Sequence, residues 1–171
     1  RLAVEDREGL HAALHGAKVP HVKPHGMMAN MSADSAEMSE AIARATKAVD
    51  RDLIFLCQAN TEQGKAARKY GLRAAEEVFA DRTYTDAGLL TPRKEKNAMI
   101  HDAATSVAHV KRMIEEQAIF STSGKKVPCQ VDSVCVHGDE PTAVATARAV
   151  RAGLEGSQIR IVPLTDLRAM N

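Results

Sequence analysis

The chain has 171 residues, of which 44% are hydrophobic, 26% charged and 3% aromatic, and its formal net charge is +1. This composition is typical of a soluble globular chain with an aliphatic core, so we expect one domain over residues 1–171. It excludes a basic, aromatic-rich surface for nucleic acid, and no apolar run of the sequence is long enough to span a membrane. Three cysteines without a CxxC pair favour reduced thiols and a cytoplasmic location.

The first predicted elements are a strand, a helix and a second strand. The segment VPHV at 19–22 predicts a short strand, and Asp34 with Glu37 three residues later predicts the N-terminal cap of a helix. The apolar run DLIFLC at 52–57 predicts a strand that is buried on both faces. The residues that recur at helical spacing after the cap are Met38, Ala41, Ile42, Ala45 and Val49.

A second helix and a long loop flank the next predicted strand. Asn60 and Gln63 open the helix, and Gly71 stands where a C-terminal glycine would end it. The strand is EEVFA at 76–80, and the polar stretch at 81–100 has neither a helical nor a strand period. A loop of that length within a compact domain is usually functional or disordered.

The last part of the chain again alternates helix and strand. Asp102 is placed to cap a helix, DSVCVHGD at 132–139 predicts a buried strand, and IRIV at 159–162 predicts a final strand. Pro141 would occupy the first position of a helix with one face formed by Val144, Ala147 and Leu154. The repeated strand–helix order predicts an α/β fold with a mainly parallel sheet, either a (β/α) barrel or an open doubly wound sheet.

Ionisable residues gather where the predicted strands end, which is where ligands bind in such folds. Each also has a purely structural interpretation, because a histidine there is more often simply hydrogen-bonded or solvated. Asp139 can cap a helix, Asp81 and Arg82 can form a loop ion pair, and the glycines can serve tight turns. The candidates are Lys23, His25, Gly26 and Asn30 after the first strand, Asp81 and Arg82 after the third, and His137, Gly138 and Asp139 after the fourth.

Motifs for other common chemistries are absent from the sequence. It contains no HExxH, no cysteine pair, no glycine-rich phosphate loop and no Gly-x-Ser-x-Gly, so we predict neither a metal site nor a nucleotide site in this chain. His21 and His25 would lie about 13 Å apart along one strand, too far to share an ion.

Four segments, in matching order, resemble the LamB/YcsF family. They are HVKPHGMMAN at 21–30, EEVFADRTYTDAGLLTPR at 76–93, AMIHD at 98–102 and VDSVCVHGD at 131–139. The ordered set is specific to that family, and the similarity runs from about Val19 through the helix after His137. One departure is Ala29, where the family usually has an aromatic residue before its asparagine.

The resemblance implies both a fold and an activity. The fold is a deformed or incomplete (β/α) barrel of the glycoside hydrolase/deacetylase type. The activity is the opening of 5-oxoproline, a lactam, to L-glutamate by an ATP-dependent 5-oxoprolinase. The resemblance also implies that ATP is used together with partner subunits B and C, which activate the lactam, while a chain of this kind acts on the activated ring.

The sequence departs from the family at its start. Family members begin with an acidic strand and histidine-containing motifs that are absent here, and a (β/α) barrel usually takes about 250 residues. We therefore expect residues 1–171 to form the C-terminal part of such a barrel. Its exposed strand edges would pair with another chain, so a homo-oligomer is one expectation.

Lactam hydrolysis gives the candidate residues roles. Carried over from the family's motifs, His25 or His137 would be the acid/base, since histidine titrates near neutral pH. Asp139 or Asp81 would orient that histidine. The basic residues of the binding set would hold the substrate carboxylate or a phosphorylated lactam oxygen. The expected substrate-binding set is Lys23, Gly26, Asn30, Arg82 and Gly138.

Two other functions stay open at this point. One is a metal-dependent, deacetylase-like amide hydrolase of the same barrel class, which a stoichiometric bound metal would favour. The other is a non-catalytic binding subunit that docks onto subunits B and C, which the missing acidic strand favours.

Overall fold

The computed structural model of the chain describes residues 15–16 and 19–167. In that part the α-helices are α1 Gly26–Ala33, α2 Ala36–Val49, α3 Glu62–Lys69, α4 Ala103–Glu116 and α5 Ala143–Gly156. The strands are β1 His21–Val22, β2 Ile54–Gln58, β3 Arg73–Phe79, β4 Ala118–Phe120, β5 Lys126–Pro128 and β6 Ser133–Cys135. A 3₁₀ helix covers Leu164–Asp166. No helix in the described part is long and apolar enough to cross a membrane.

The main sheet has four strands in the order β1-β2-β3-β6. β1 runs parallel to β2 with His21 opposite Ile54, and β3 runs parallel to β6 with Phe79 opposite Cys135. β4 and β5 form a separate antiparallel pair. The predicted strands at 19–22, 52–57 and 76–80 are confirmed within one or two residues, apart from β3, which starts three residues earlier than predicted.

The chain divides into two compact units. The first includes the chain up to Cys57 and Glu62–Ala75, and the second includes Gln58–Thr61 and Glu76–Leu167. Arg73–Ala75 of β3 are therefore assigned to the first unit and Glu76–Phe79 to the second. One domain over residues 1–171 stays a prediction.

The first unit has its own core, in which β2 is buried along its whole length as predicted. The buried apolar residues of this core are Ile42, Ala43, Phe55, Cys57, Ala66, Ala67 and Leu72. α3 ends as predicted, because Gly71 has φ +72° and lets Leu72 donate its N–H to the carbonyl of Ala67.

α2 differs from its predicted cap and face. Ser35, not Asp34, is its N-cap, and the Ser35 Oγ accepts from the Met38 N–H at 3.3 Å. The helix also turns its small residues inward, so that Val49 is 81% exposed. Close packing against α1 explains this choice, because Ser39 Oγ can then donate to the carbonyl of Ser32 at 2.5 Å. The buried residues of α2 are Ser39, Ile42, Ala43 and Thr46.

α1 was not predicted, and buried polar contacts fix its position. The Gln63 side chain on α3 is 1% exposed, and its Nε2 donates to the Ala29 carbonyl and to Ser32 Oγ, both at 2.7 Å. Met27 and Met31 of α1 are 71% and 53% exposed, so apolar burial contributes little on that side. The Gln63 amide therefore joins the short helix to α3, in addition to the burial of Ala29, Ser32 and Ala33.

The second unit packs α4 and α5 against each other and buries an apolar core. Asp102 caps α4 as predicted, with its Oδ2 accepting from the Thr105 N–H at 2.7 Å. The two helices approach closely at Gly153, where an added Cβ would lie 2.5 Å from Cγ1 of Val107. The buried apolar residues of this core are Ala59, Val78, Phe79, Ala80, Tyr84, Val110, Met113, Ala118, Ile119, Phe120, Val150 and Leu154.

Two predictions about the last part of the chain are wrong. α5 begins at Ala143 after Thr142, and its buried face is Thr146, Val150 and Leu154, whereas Val144 is 64% exposed. Gly153 explains the face, since it lies on that side of the helix and allows the close approach to α4. The strand expected at 159–162 does not form among the described residues, and a 3₁₀ turn follows Pro163 instead.

The β4–β5 pair was also not predicted, because each of its strands has only three residues. A single three-residue segment is too short to show a period of two. β6 is shorter than expected, and its residues are half-buried rather than buried.

Candidate active site

The candidate site in the second unit lies where β3 and β6 end. These two strands are parallel neighbours, so their carboxyl ends lie on the same edge of the sheet. The last paired residues are Phe79 and Cys135, and the Ala80 N–H donates to the Cys135 carbonyl at 2.9 Å. Two residues further along each strand, this register brings Asp81 beside His137.

Asp81 and His137 form a tightly hydrogen-bonded pair. His137 Nδ1 lies 2.9 Å from Asp81 Oδ1 and 2.8 Å from Asp81 Oδ2. Asp81 Oδ2 also accepts the main-chain N–H of His137 at 3.1 Å. One carboxylate therefore fixes both the backbone and the ring of the histidine.

The pairing determines which ring nitrogen of His137 is available for chemistry. A carboxylate is only an acceptor, so Nδ1 must carry the proton that it shares with Asp81. In the neutral ring the lone pair is then on Nε2, which is the arrangement of a histidine base with a carboxylate that orients it. The ring of Phe79 stacks on the imidazole, with centroids 5.5 Å apart and planes inclined by 19°.

The exposure of the two side chains differs. The Asp81 side chain is 6% exposed and that of His137 is 27% exposed, so the histidine is the member that solvent or a ligand can reach. Burial by itself raises the pKa of Asp81, but the hydrogen bonds and the charge of His137 outweigh it, so the pKa of Asp81 is lowered. Asp81 is therefore a carboxylate at neutral pH.

Asp139 does not contact His137 through a hydrogen bond among those observed. Its Oδ2 instead accepts from Nη1 of Arg93 at 2.8 Å, and this hydrogen bond lowers the pKa of Asp139. Nor does it cap α5, whose N-cap is Thr142. Of the two acids left open by the sequence, the geometry gives the orienting contact to Asp81.

Arg82 is buried in the loop rather than presented to solvent. It is 4% exposed, its Nη2 donates to the Thr91 carbonyl at 2.6 Å, and its Nε donates to the Ala98 carbonyl at 3.4 Å. Burial lowers the pKa of this guanidinium. These contacts favour a structural role, while substrate binding by Arg82 stays a prediction.

The loop at 81–100 is ordered by its own hydrogen bonds. Single antiparallel bridges join Arg82 to Met99 and Tyr84 to Leu90. Tyr84 is 3% exposed, and its hydroxyl accepts the Phe79 N–H at 2.8 Å. Burial raises the pKa of that hydroxyl, so it stays protonated. The loop is thus tied directly to the end of β3.

The other predicted residues lie in the first unit, between β1 and the middle of α1. His25 is exposed and is the residue before α1, but its side chain makes no capping hydrogen bond. Gly26 has φ +58°, a conformation that glycine adopts without strain. Lys23 is half-buried, and Asn30 is exposed.

Residues 15–16 and 19–167 contain no group of three His, Cys, Asp or Glu side chains that could hold a metal ion. Sequence reasoning missed two residues that the geometry adds to the site, Arg93 and Phe79. Arg93 could have been noticed as the last residue of the motif at 76–93, within a loop of unusual length. Phe79 could not, because its stacking depends on the register of two distant strands.

Comparison with known proteins then decides the relationship. The model of the LamB/YcsF family matches residues 8–169. The chain belongs to the LamB/YcsF family. The predicted family is thereby confirmed.

Curated relatives of this LamB/YcsF chain are named as the A subunit of 5-oxoprolinase. The protein from Rhodopseudomonas palustris (strain BisB18) is 45% identical over 152 residues, which are 89% of this chain and 60% of the relative. The protein from Azoarcus sp. (strain BH72) is 42% identical over 156 residues, covering 91% of this chain and 61% of the relative. The chain therefore spans about 60% of the length of these relatives.

A solved structure, the lactam utilization protein from Thermus thermophilus, is similar in fold. It superposes with a TM-score of 0.79 at 32% sequence identity, over 95% of this chain and 62% of that protein. The predicted fold class, an α/β fold with parallel strands and part of a (β/α) barrel, is thereby confirmed.

Proposed function

We propose that this chain is the lactam-opening part of an ATP-dependent 5-oxoprolinase, which converts 5-oxoproline to L-glutamate. The name of its relatives, the A subunit of 5-oxoprolinase, supports the substrate and supports an enzyme of several subunits. Since the chain spans 60% of that relative, the activity is proposed for the whole protein. The observation that carries the proposal is the Asp81–His137 pair at the ends of β3 and β6.

The proposed chemistry is general base catalysis by His137. Its Nε2 takes a proton from a water molecule as the water oxygen adds to the lactam carbonyl carbon. The C–N bond of the ring then breaks, and the proton returns from the imidazolium to the leaving nitrogen. If ATP has phosphorylated the lactam oxygen, this leaves an acyl phosphate, which a second water molecule hydrolyses to L-glutamate and inorganic phosphate. Asp81 holds the ring in the productive tautomer and stabilises its positive charge.

ATP would be used with partner subunits B and C, which activate the lactam before this chain acts on it. Lys23, His25, Gly26 and Asn30 remain predicted site residues, with Gly138 beside His137. We also place the protein in the cytoplasm, in agreement with Cys57, Cys129 and Cys135, which all remain thiols.

The proposal is tested by glutamate formation. The full-length protein that contains this chain is mixed with subunits B and C, ATP and 5-oxoproline, and glutamate is measured for wild type and for His137→Gln. We expect the variant to lower kcat by about 10²–10⁴-fold, which is the usual contribution of a general base. The exposed strand residue His21 gives the matched control, and His21→Gln should keep the wild-type rate.

His25→Gln tests the other histidine that the sequence offered as acid/base. Because no carboxylate among residues 15–16 and 19–167 is seen to orient His25, we expect a smaller loss than for His137→Gln. Equal activity of His137→Gln and wild type would refute the assignment of His137. A wild-type protein that binds subunits B and C but makes no glutamate would support the non-catalytic alternative instead, and a stoichiometric metal ion retained by the purified protein would support the metal-dependent one.

A further inference from the structure

Arg93 is an exposed cation of the loop at 81–100, and it is ion-paired with Asp139. Its side chain is 48% exposed, and its Nη1 lies 2.8 Å from Oδ2 of Asp139, which is 54% exposed. Asp139 follows His137 by two residues, so this ion pair joins the loop after β3 to the segment after β6. Through Asp139, the pair places the Arg93 guanidinium against the segment that carries the proposed base.

The surroundings of Arg93 are negatively charged. Its hydrogen bond with Asp139 raises its pKa, and the charges of Asp81 and Glu140 raise the pKa further. A substrate that carries a carboxylate is repelled by this group of acids unless a cation meets it. Arg82 does not meet it, because its observed donors are directed to the carbonyls of Thr91 and Ala98.

We propose that Arg93 binds the carboxylate of the lactam substrate and that Asp139 positions its guanidinium. This inference rests on the proposed function and adds to it the residue that selects a carboxylated ring.

The chemistry of the guanidinium agrees with this role. Arginine has five N–H donors in a planar fork that matches a carboxylate in two-point geometry. In the described part of the chain, one nitrogen of Arg93 is hydrogen-bonded to Asp139, and no other hydrogen bond of its side chain is seen. Donors on the rest of the fork thus remain for a ligand, while the bond to Asp139 limits the rotation of the side chain.

The test compares two lactams that differ only in the carboxylate, 5-oxoproline and 2-pyrrolidinone. The full-length protein with subunits B and C and ATP is assayed on both, as wild type and as Arg93→Met. We expect kcat/KM for 5-oxoproline to fall about 10–100-fold, mainly through KM, because a charge-assisted carboxylate contact is lost. The slow turnover of 2-pyrrolidinone should stay within about twofold of wild type, since that ring makes no such contact.

Three further variants sharpen the result. Lys96→Met removes an exposed positive charge from the same loop and should leave both substrates unchanged. Arg93→Lys should recover only part of the loss, because lysine lacks the two-point geometry. Asp139→Asn should raise KM for 5-oxoproline several-fold and leave kcat near wild type.

The outcomes separate this inference from the proposed function. The carboxylate role is overturned if Arg93→Met keeps the wild-type kcat/KM for 5-oxoproline. It is also overturned if the variant lowers kcat/KM equally for 5-oxoproline and 2-pyrrolidinone. In both cases the proposed function stands. If the wild-type protein makes no glutamate, the function itself is overturned, and the assignment of Arg93 is overturned with it.

Discussion

The ends of β3 and β6 and the stretch that follows β1 carry similar residues but are built differently. At the first, His137 is 27% exposed, stacks on Phe79 and is held by the buried carboxylate of Asp81. At the second, His25 is exposed, and its side chain makes no capping hydrogen bond. The same residue type at a strand end is thus fixed in one unit and much less constrained in the other.

The difference shows what a strand-end histidine needs before it can act as a base. An imidazole that is free to rotate exchanges tautomers and loses entropy when it reacts, whereas one bound at Nδ1 presents Nε2 in a single orientation. In this chain that orientation comes from a parallel register that extends two residues beyond the last paired residues, Phe79 and Cys135.

The largest expected effect comes from removing the carboxylate of Asp81, which orients His137 and has no observed counterpart at His25 among the described residues. Asp81→Asn keeps the shape of the side chain, but its amide can donate to Nδ1 and so favour the wrong tautomer of His137. We expect kcat to fall by about 10³–10⁴-fold, as in hydrolases where the orienting aspartate of a triad is changed to asparagine. The exposed turn residue Asp52 provides the control, and Asp52→Asn should retain full activity in the same glutamate assay.

Asp81→Asn also tests how the free energy of unfolding depends on pH. Because the fold lowers the pKa of Asp81 below its usual 3.8, its contribution to stability is complete above that pH and is lost as the pH falls through the folded-state pKa. Unfolding by denaturant between pH 5 and about pH 2 should therefore show a steeper acid loss for wild type than for Asp81→Asn. Parallel curves would mean that the carboxylate gains nothing from its contacts.

An intermediate effect is expected from Gln63, which supports the region after β1. Gln63→Leu removes the amide that donates to the Ala29 carbonyl and to Ser32 Oγ and leaves Ala29 only the longer hydrogen bond from Ser32 Oγ, so the free energy of unfolding should fall by about 2–4 kcal/mol. Lys65→Leu on the same helix removes only an exposed ion pair with Glu62. It should change the free energy of unfolding by less than about 1 kcal/mol. Equal losses in urea unfolding would show that the amide does not hold α1.

The smallest expected effect is at the glycine that begins α1. Gly26→Ala places a Cβ in open space, so the penalty comes from φ +58° alone and should be about 1 kcal/mol. A Cβ at Gly156 would also lie in open space, but Gly156 does not have a positive φ. Gly156→Ala should therefore be neutral or slightly stabilising. A thermal shift of the same size and sign in both variants would contradict the explanation from φ.

Long apolar runs and caps made much of the fold predictable. β2 was predictable because its run of apolar residues is buried throughout, and α4 because Asp102 is a local cap. The face of α5 was not, because it depends on the approach of Gly153 to Val107 on a different helix. The prediction of a strand at 159–162 was wrong because an apolar run forms a strand only where a neighbouring strand pairs with it, which the local sequence does not show.

The candidate site, like the fold, has features that were predictable from the sequence and features that were not. His137 and Asp81 were predictable as candidates because polar residues directly after buried strands are local features of the sequence. Their pairing, and the pairing of Asp139 with Arg93, depended on register and loop path, which a single sequence does not contain. This is why the sequence left two acids open as the orienting group.

Asp81 accepts the main-chain N–H of His137 as well as its ring, so one carboxylate serves the backbone and the chemistry together. The amide proton of that residue is consequently a reporter built into the site. Its exchange with solvent deuterium requires the same opening that releases the imidazole. The free energy needed to open the working geometry can thus be read from a single backbone signal, without substrate and without turnover.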